Sequence, residues 1–159
     1  MNINIIAVGR LKEKYWTDAV NEYIKRISRY AKITVTELED EKAPENLSAA
    51  QKEQVIKKEG ARILKNISDG EYVICLEIDA CQLSSVGLSQ FLDRLMLDGK
   101  SSIDFVIGGS LGLHEDVIKR ADFHLSFSKM TFPHQLMRAL LLEQIYRAIK
   151  ISKNEPYHK

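Results

Sequence analysis

Short runs of β-branched and apolar residues alternate along this chain with longer stretches whose apolar residues recur every three to four positions. Residues 3–8 form the first run, ended by Gly9, and Trp16, Ala19, Val20, Tyr23, Ile24 and Ile27 then keep the rhythm of one helix face. Residues 33–38 predict a second strand, and the acidic stretch 39–47, which contains Pro44, a loop. Ser48 and Gln51 stand at capping-box spacing and open a helix with Val55, Ile56, Ile63, Leu64 and Ile67 on one side, closed by Asp69-Gly70. Residues 72–78 predict a third strand, apolar almost throughout. Ser84 or Ser85 caps a helix carrying Leu88, Phe91, Leu92, Leu95 and Met96, which Gly99 ends. A fourth strand at 103–107 runs into Gly108-Gly109-Ser110-Leu111-Gly112. A short helix at 114–121, a short strand at 125–128 and a helix from about Gln135 to Ile151 complete the pattern, and Pro156 keeps the tail non-helical.

Five strands alternating with five helices call for an α/β fold: a mostly parallel sheet with helices on both faces. Strands that are apolar on consecutive positions fit burial of both sheet faces. The 159 residues contain no linker or repeat, so we expect a single domain over 1–159. In such sheets ligands gather beyond the carboxyl ends of the strands, where loops and helix N-termini converge. That rule selects the loops after the third, fourth and fifth strands.

Several classes are disfavoured. The apolar run at the N-terminus is too short for a signal peptide or membrane span, so a cytoplasmic protein without membrane contact is expected. Cys75 and Cys81 form no CxxC pair and have no histidine nearby, which predicts free thiols and no metal site. The glycine turn 108–112 is neither a GxGxxG fingerprint nor a P-loop. Its glycines still let backbone approach a ligand closely and expose N–H groups, although a tight turn alone would explain them.

The net charge is +1, but residues 119–159 hold eight Lys/Arg against three Asp/Glu, and the stretch from Arg10 to Lys32 holds seven against three. Solvated helix faces account for most such runs; a patch for a polyanion is the sharper reading. Arg138 is open to the same two readings. Pro156-Tyr157-His158-Lys159 brings together a stacking aromatic, a group that titrates near neutrality and a cation, tools suited to a nucleobase and a phosphate, whereas an ordinary C-terminus frays.

The ordered set Val106 to Leu113, Leu125 to Arg138 with Ser128-Lys129-Met130-Thr131-Phe132-Pro133-His134, Glu143 to Ala148, and Pro156-Tyr157-His158 closely resembles the RlmH family, small SPOUT-class methyltransferases. The resemblance runs the whole length and includes Ala7-Val8-Gly9 and Asp40 to Pro44. It implies a C-terminal trefoil knot, S-adenosylmethionine as methyl donor, and methylation at N3 of a pseudouridine in 23S ribosomal RNA on the assembled ribosome. The donor site carried over to this chain comprises Leu76, Gly108, Phe127, Ser128, Lys129, Met130, Thr131 and Phe132. A homodimer is implied as well, with the tail of one subunit reaching the donor pocket of the other. The chain departs from the family in having Ala80-Cys81 where Gly-Lys is frequent, and Asn154 where Gly is frequent. Asn tolerates positive φ next best, so the turn should survive.

Methyl transfer from a sulfonium needs no metal; it needs the nucleophile in line at about 3–3.5 Å. General base assistance at N3–H would contribute about 10²–10⁴-fold. His158 is the first candidate for that help, Arg147 for anion stabilisation or phosphate positioning with Arg138 behind it, and Tyr157 for holding the base; Arg138 and Lys159 are candidate RNA contacts. His134 and His114 read as structural or rim residues. A dimer would merge two basic C-terminal regions into a patch whose RNA affinity falls with salt. Two other classes stay open on the residues alone: a catalytically silent ribosome- or nucleotide-binding module, and a small-molecule enzyme that uses the glycine turn for phosphate.

Overall fold

The computed structural model describes residues 1–159. Strands β1 (Asn2–Val8), β2 (Lys32–Leu38), β3 (Tyr72–Gln82), β4 (Ser102–Ile107) and β5 (Phe123–Ser126) alternate with helices α1 (Lys14–Ile27), α2 (Ala49–Asn66), α3 (Ser85–Leu97), α4 (Glu115–Arg120) and α5 (His134–Ser152). The strands form one sheet in the order β2-β1-β4-β3-β5, and every pairing is parallel.

The apolar runs bury both faces, as their composition predicts. Along β1, Ile3, Ile5 and Ala7 join the larger core, which includes Val20 and Ile27 of α1, Leu88 and Leu92 of α3, and Leu141, Leu142 and Ile145 of α5. Ile6 and Val8 point to the opposite face and pack with Ile63 of α2 and Val117 of α4. The period-two alternation of a strand thus feeds two cores from one run. Burying an Ile or Leu side chain contributes about 1.5–3 kcal/mol, so the central strands anchor everything else.

Local signals set the helix starts. Ser48 caps α2 in a capping box with Gln51, each side chain engaging the other residue's backbone N–H. Ser84 caps α3 by accepting from Gly87 N–H at 3.0 Å. His114 caps α4 through Nδ1, which accepts from Asp116 N–H at 3.2 Å. A Cβ on Gly60 of α2 would lie 2.7 Å from the His114 Cβ, so His114 is packed against α2 as a structural residue.

Two strands depart from their predicted bounds. β3 continues to Gln82 rather than stopping near Ile78, and β5 begins at Phe123 and ends at Ser126. Leu125 of β5 pairs with both Leu76 and Cys81, so residues 77–80 bulge out of the ladder before the strand resumes. The bulge places Ala80-Cys81 within an extended strand, not in a free loop. No helix is long and apolar enough to cross a membrane.

Candidate functional site

The carboxyl ends of β3, β4 and β5 open into a cavity of about 840 Å³, within the range of small-molecule sites. Its walls come from three connections: Leu76 to Asp79 of β3, Ile107 to Leu113 after β4, and residues between Phe127 and Met137 that lead into α5. These are the three loops that the strand-end rule selects. Leu76, Gly108, Phe127, Ser128, Met130, Thr131 and Phe132 all line it. Lys129 does not: its side chain is exposed outside the wall.

The glycine turn is built so that only glycine fits. A Cβ on Gly108 would stand 2.8 Å from the Gly112 carbonyl oxygen and 2.9 Å from Leu113 Cδ2, while Gly112 sits at φ +89°. Gly112 N–H donates to the Gly109 carbonyl at 3.2 Å and closes the turn. Beneath it lies Glu59 of α2, only 4% exposed. Its Oε1 accepts from Glu41 N–H at 3.0 Å and its Oε2 has no partner. A Cβ on Gly109 would meet that Oε2 at 2.7 Å. Burial, aided by nearby Asp40 and Glu41, pushes the Glu59 carboxyl above the usual range.

Ser126, the last residue of β5, ties the other two walls together. Its hydroxyl donates to the Ile78 carbonyl at 2.7 Å and lies 3.2 Å from that of Ser128. Ser128 Oγ in turn accepts from Met130 N–H at 3.0 Å, turning the chain over the cavity. At the far rim, His134 packs against Gly9, and burial followed by the Arg138 guanidinium lowers its pKa, which favours neutral imidazole.

Arg138 is not on the surface, where a candidate RNA contact would have to lie. It is fully buried and donates through Nη2 to the carbonyls of Val8 (3.0 Å) and Gly9 (2.6 Å) and through Nη1 to Glu37 at 2.6 Å. Both readings of it as an exposed charge are therefore corrected. The carbonyls at the end of β1 lie under α5 without strand partners, and a helix residue four positions in can reach them. Arg138 fixes the start of α5 and, through it, one wall of the cavity.

Tyr157, His158 and Arg147 do meet, but with each other and not at the cavity. Tyr157 packs edge-on against Tyr146 with centroids 4.8 Å apart, the Arg147 guanidinium lies 4.7 Å over its ring, and its hydroxyl donates to Glu143 at 3.0 Å. Arg147 Nη1 is 3.5 Å from His158 Nδ1. Burial, then Tyr23 and Glu143, raise the Tyr157 hydroxyl's pKa strongly, so it remains a hydrogen-bonding and stacking group. None of the three lines the cavity. Along α5, Glu143 and Arg147, which hold the tail, lie about 9 and 15 Å beyond Met137 of the cavity wall at 1.5 Å per residue.

The tail itself is held in place. Asn154 adopts φ +51°, as expected for the position where glycine would serve. Glu155 accepts from the Tyr30 hydroxyl at 2.6 Å and from Lys150 Nζ.

The C-terminal charge is also reorganised. Of its eight Lys/Arg, five are engaged by carboxylates (Lys119, Arg120, Arg138, Arg147 and Lys150), which leaves Lys129, Lys153 and Lys159 without one. Cys75 and Cys81 are free thiols; burial pushes the Cys75 thiol up to about 12, so it is inert at neutral pH. No group of three or more His, Cys, Asp or Glu side chains could hold a metal ion.

Sequence reasoning missed Glu77, Ile78 and Asp79, which the bulge turns into the cavity, and Met137 of the wall; His134, read as a structural or rim residue, lies at the rim. The polar–apolar–polar triplet directly after an apolar strand was the available signal.

A family model described as "Predicted SPOUT methyltransferase" matches residues 1–158. Proteins named Ribosomal RNA large subunit methyltransferase H from Alkaliphilus oremlandii and Bacillus cereus are each 60% identical, and one from Clostridium kluyveri is 55% identical; in each case the match spans 159 residues and 100% of both chains. Among solved structures, a probable methylase family protein from Haemophilus influenzae superposes with a TM-score of 0.54 over 99% of this chain and 70% of the other, at 14% identity, a likeness of fold.

Proposed function

The chain belongs to the SPOUT methyltransferase family, and from that premise we propose that it transfers a methyl group from S-adenosylmethionine to N3 of a pseudouridine in 23S ribosomal RNA. The assembled ribosome is the substrate and the cytoplasm the compartment in this reading. The observation that carries it is the cavity at the ends of β3, β4 and β5: it has the size of a nucleoside site, and its wall contains no Lys or Arg. A phosphate there would have only backbone N–H groups to meet its charge, whereas a nucleoside meets the apolar part of the wall as well.

The residues present fit the donor. Backbone around Gly108 and Leu76 and the turn 127–132 would hold it, because the glycine turn leaves amides and carbonyls unobstructed. S-adenosylmethionine, when bound, supplies an electrophilic methyl group on a sulfonium. What the chain must add is placement of the acceptor ring and management of the N3 proton. Tyr157 offers a face for stacking. His158 can take the proton at Nδ1 or Nε2, while Arg147, already turned toward His158, stabilises the negative charge left on the ring.

The distance between cavity and tail supports a homodimer in which the tail of one copy covers the cavity of the other. The trefoil knot belongs to the same proposal. Residues 127–133 run from the sheet edge at β5 past the ends of β3 and β4 to reach β1, where Arg138 anchors α5.

Calorimetric titration with the donor, followed by transfer of labelled methyl to ribosomes lacking this modification, tests the proposal. The protein should bind the donor and methylate those ribosomes. His158→Ala should cut methylation about 10²-fold or more with donor affinity nearly unchanged; unchanged turnover removes His158 from the chemistry. Donor binding without any transfer would replace the enzyme by a silent binding module.

A further inference from the structure

The bulge in β3 puts two carboxylates, Glu77 and Asp79, into the cavity wall. They differ in how they are held. Asp79 is exposed, whereas Glu77 is largely covered and is met by His124 of β5, whose Nδ1 lies 2.5 Å from Glu77 Oε1. A ring on the neighbouring strand therefore fixes the position of one carboxylate in the cavity wall. No lysine or arginine lines that space, Lys129 lies outside it, and His134 is held toward its neutral form. The wall thus carries two carboxylates and no lysine or arginine.

We propose that Glu77, held by His124, makes this cavity selective for cationic ligands, so that it distinguishes the sulfonium donor from the uncharged thioether left after transfer. The inference rests on the donor-site reading above. In the reaction the methyl–sulfur bond breaks, its electron pair stays on sulfur, and the methyl carbon bonds to N3 as the N3 proton leaves. The spent nucleoside has one positive charge fewer than the donor. A carboxylate in a partly desolvated wall attracts the first and not the second, which weakens product binding after each turnover. A carboxylate that merely hydrogen-bonds ribose hydroxyls would act on both equally, because the ribose does not change.

Calorimetry on the full-length protein separates these cases with three probes: S-adenosylmethionine, S-adenosylhomocysteine, and sinefungin, the analogue with an amine-bearing carbon in place of the methylated sulfonium. The intact protein should bind both cationic probes more tightly than the thioether. Glu77→Gln should shrink that preference about tenfold, the equivalent of about 1.4 kcal/mol, mainly through weaker binding of the cations. His124→Gln should shrink it part-way, and Asp79→Asn much less. Thermal unfolding of each variant confirms the fold, and His124→Gln gives a second reading should Glu77→Gln be unstable. Equal losses for all three probes, an unchanged preference in folded Glu77→Gln, or a collapse caused by Asp79→Asn alone would overturn the proposal. An intact protein that binds donor and thioether equally also overturns it while leaving the donor site standing; one that binds neither overturns both.

Discussion

At the scale of residues, the site depends on groups whose cost is met by neighbours. Glu59 keeps a buried carboxyl with one unpartnered oxygen under the glycine turn, and its pKa is raised in the folded state. Its stabilising contribution is therefore complete below the unfolded pKa near 4 and is lost as pH rises through the higher folded value. Glu59→Gln should flatten that loss: unfolding temperatures measured against pH should match the parent at acidic pH and exceed it at pH 7–8. A parallel drop at every pH would contradict the account. Arg138 is a buried charge with three good acceptors on its two Nη atoms, while its Nε has no partner. Arg138→Met removes the donor to two carbonyls and the ion pair of Glu37, which keeps only the Leu11 N–H, and should cost about 2–4 kcal/mol in urea unfolding. A solvated Arg138, as its sequence context allowed, would cost about 0.5 kcal/mol or less. Nothing in the Met137-Arg138-Ala139 triplet showed its burial, because the acceptors lie at Val8, Gly9 and Glu37, a hundred or more residues away in sequence.

At the scale of elements, what was legible followed from local chemistry. The capping box of α2, the serine cap of α3 and the glycine turn after β4 are written in neighbouring residues, so spacing alone found them. The continuation of β3 was not, because Asp79, Ala80 and Gln82 are weak strand formers, and the strand resumes only where Cys81 and Gln82 pair with β5 beyond the bulge. The cavity's acidic wall went unread for the same reason. The tail lies between these extremes: Asn154 predicted the turn, while the clamp on Glu155 depends on Tyr30, distant in sequence. Tyr30→Phe removes one of the two donors to Glu155 and should cost the tail about 1 kcal/mol. Amide exchange at residues 155–158 should quicken, methylation should fall and donor affinity should stay. Exchange identical to the parent would show that the clamp does not order the tail.

At the scale of the whole molecule, the sheet order gathers β3, β4 and β5 at one side and leaves their carboxyl ends facing one cavity, while α5 carries the tail to another part of the surface. Pairing consumes most of the C-terminal charge, so the cations free for RNA there are Lys129, Lys153 and Lys159, together with exposed Arg10, Lys12, Lys25, Arg29 and Lys32 from the first helical region. Ribosome affinity should fall with salt with a slope set by these residues. Lys153→Gln with Lys159→Gln should make it shallower, whereas an unchanged slope would place the RNA face elsewhere.

The central claim, that one copy's tail completes another copy's cavity, is tested most directly by mixing two inactive variants. Gly108→Ala drives a Cβ into the Gly112 carbonyl and Leu113 and so disrupts the cavity wall while keeping the tail, and His158→Ala keeps the cavity but disables the tail. Refolded together at equal concentration, half the dimers would be mixed, each with one intact composite site, so methylation should return to about a quarter of the parent rate. A mixture as inactive as its components would contradict the account, because it would mean that cavity and tail must come from the same chain.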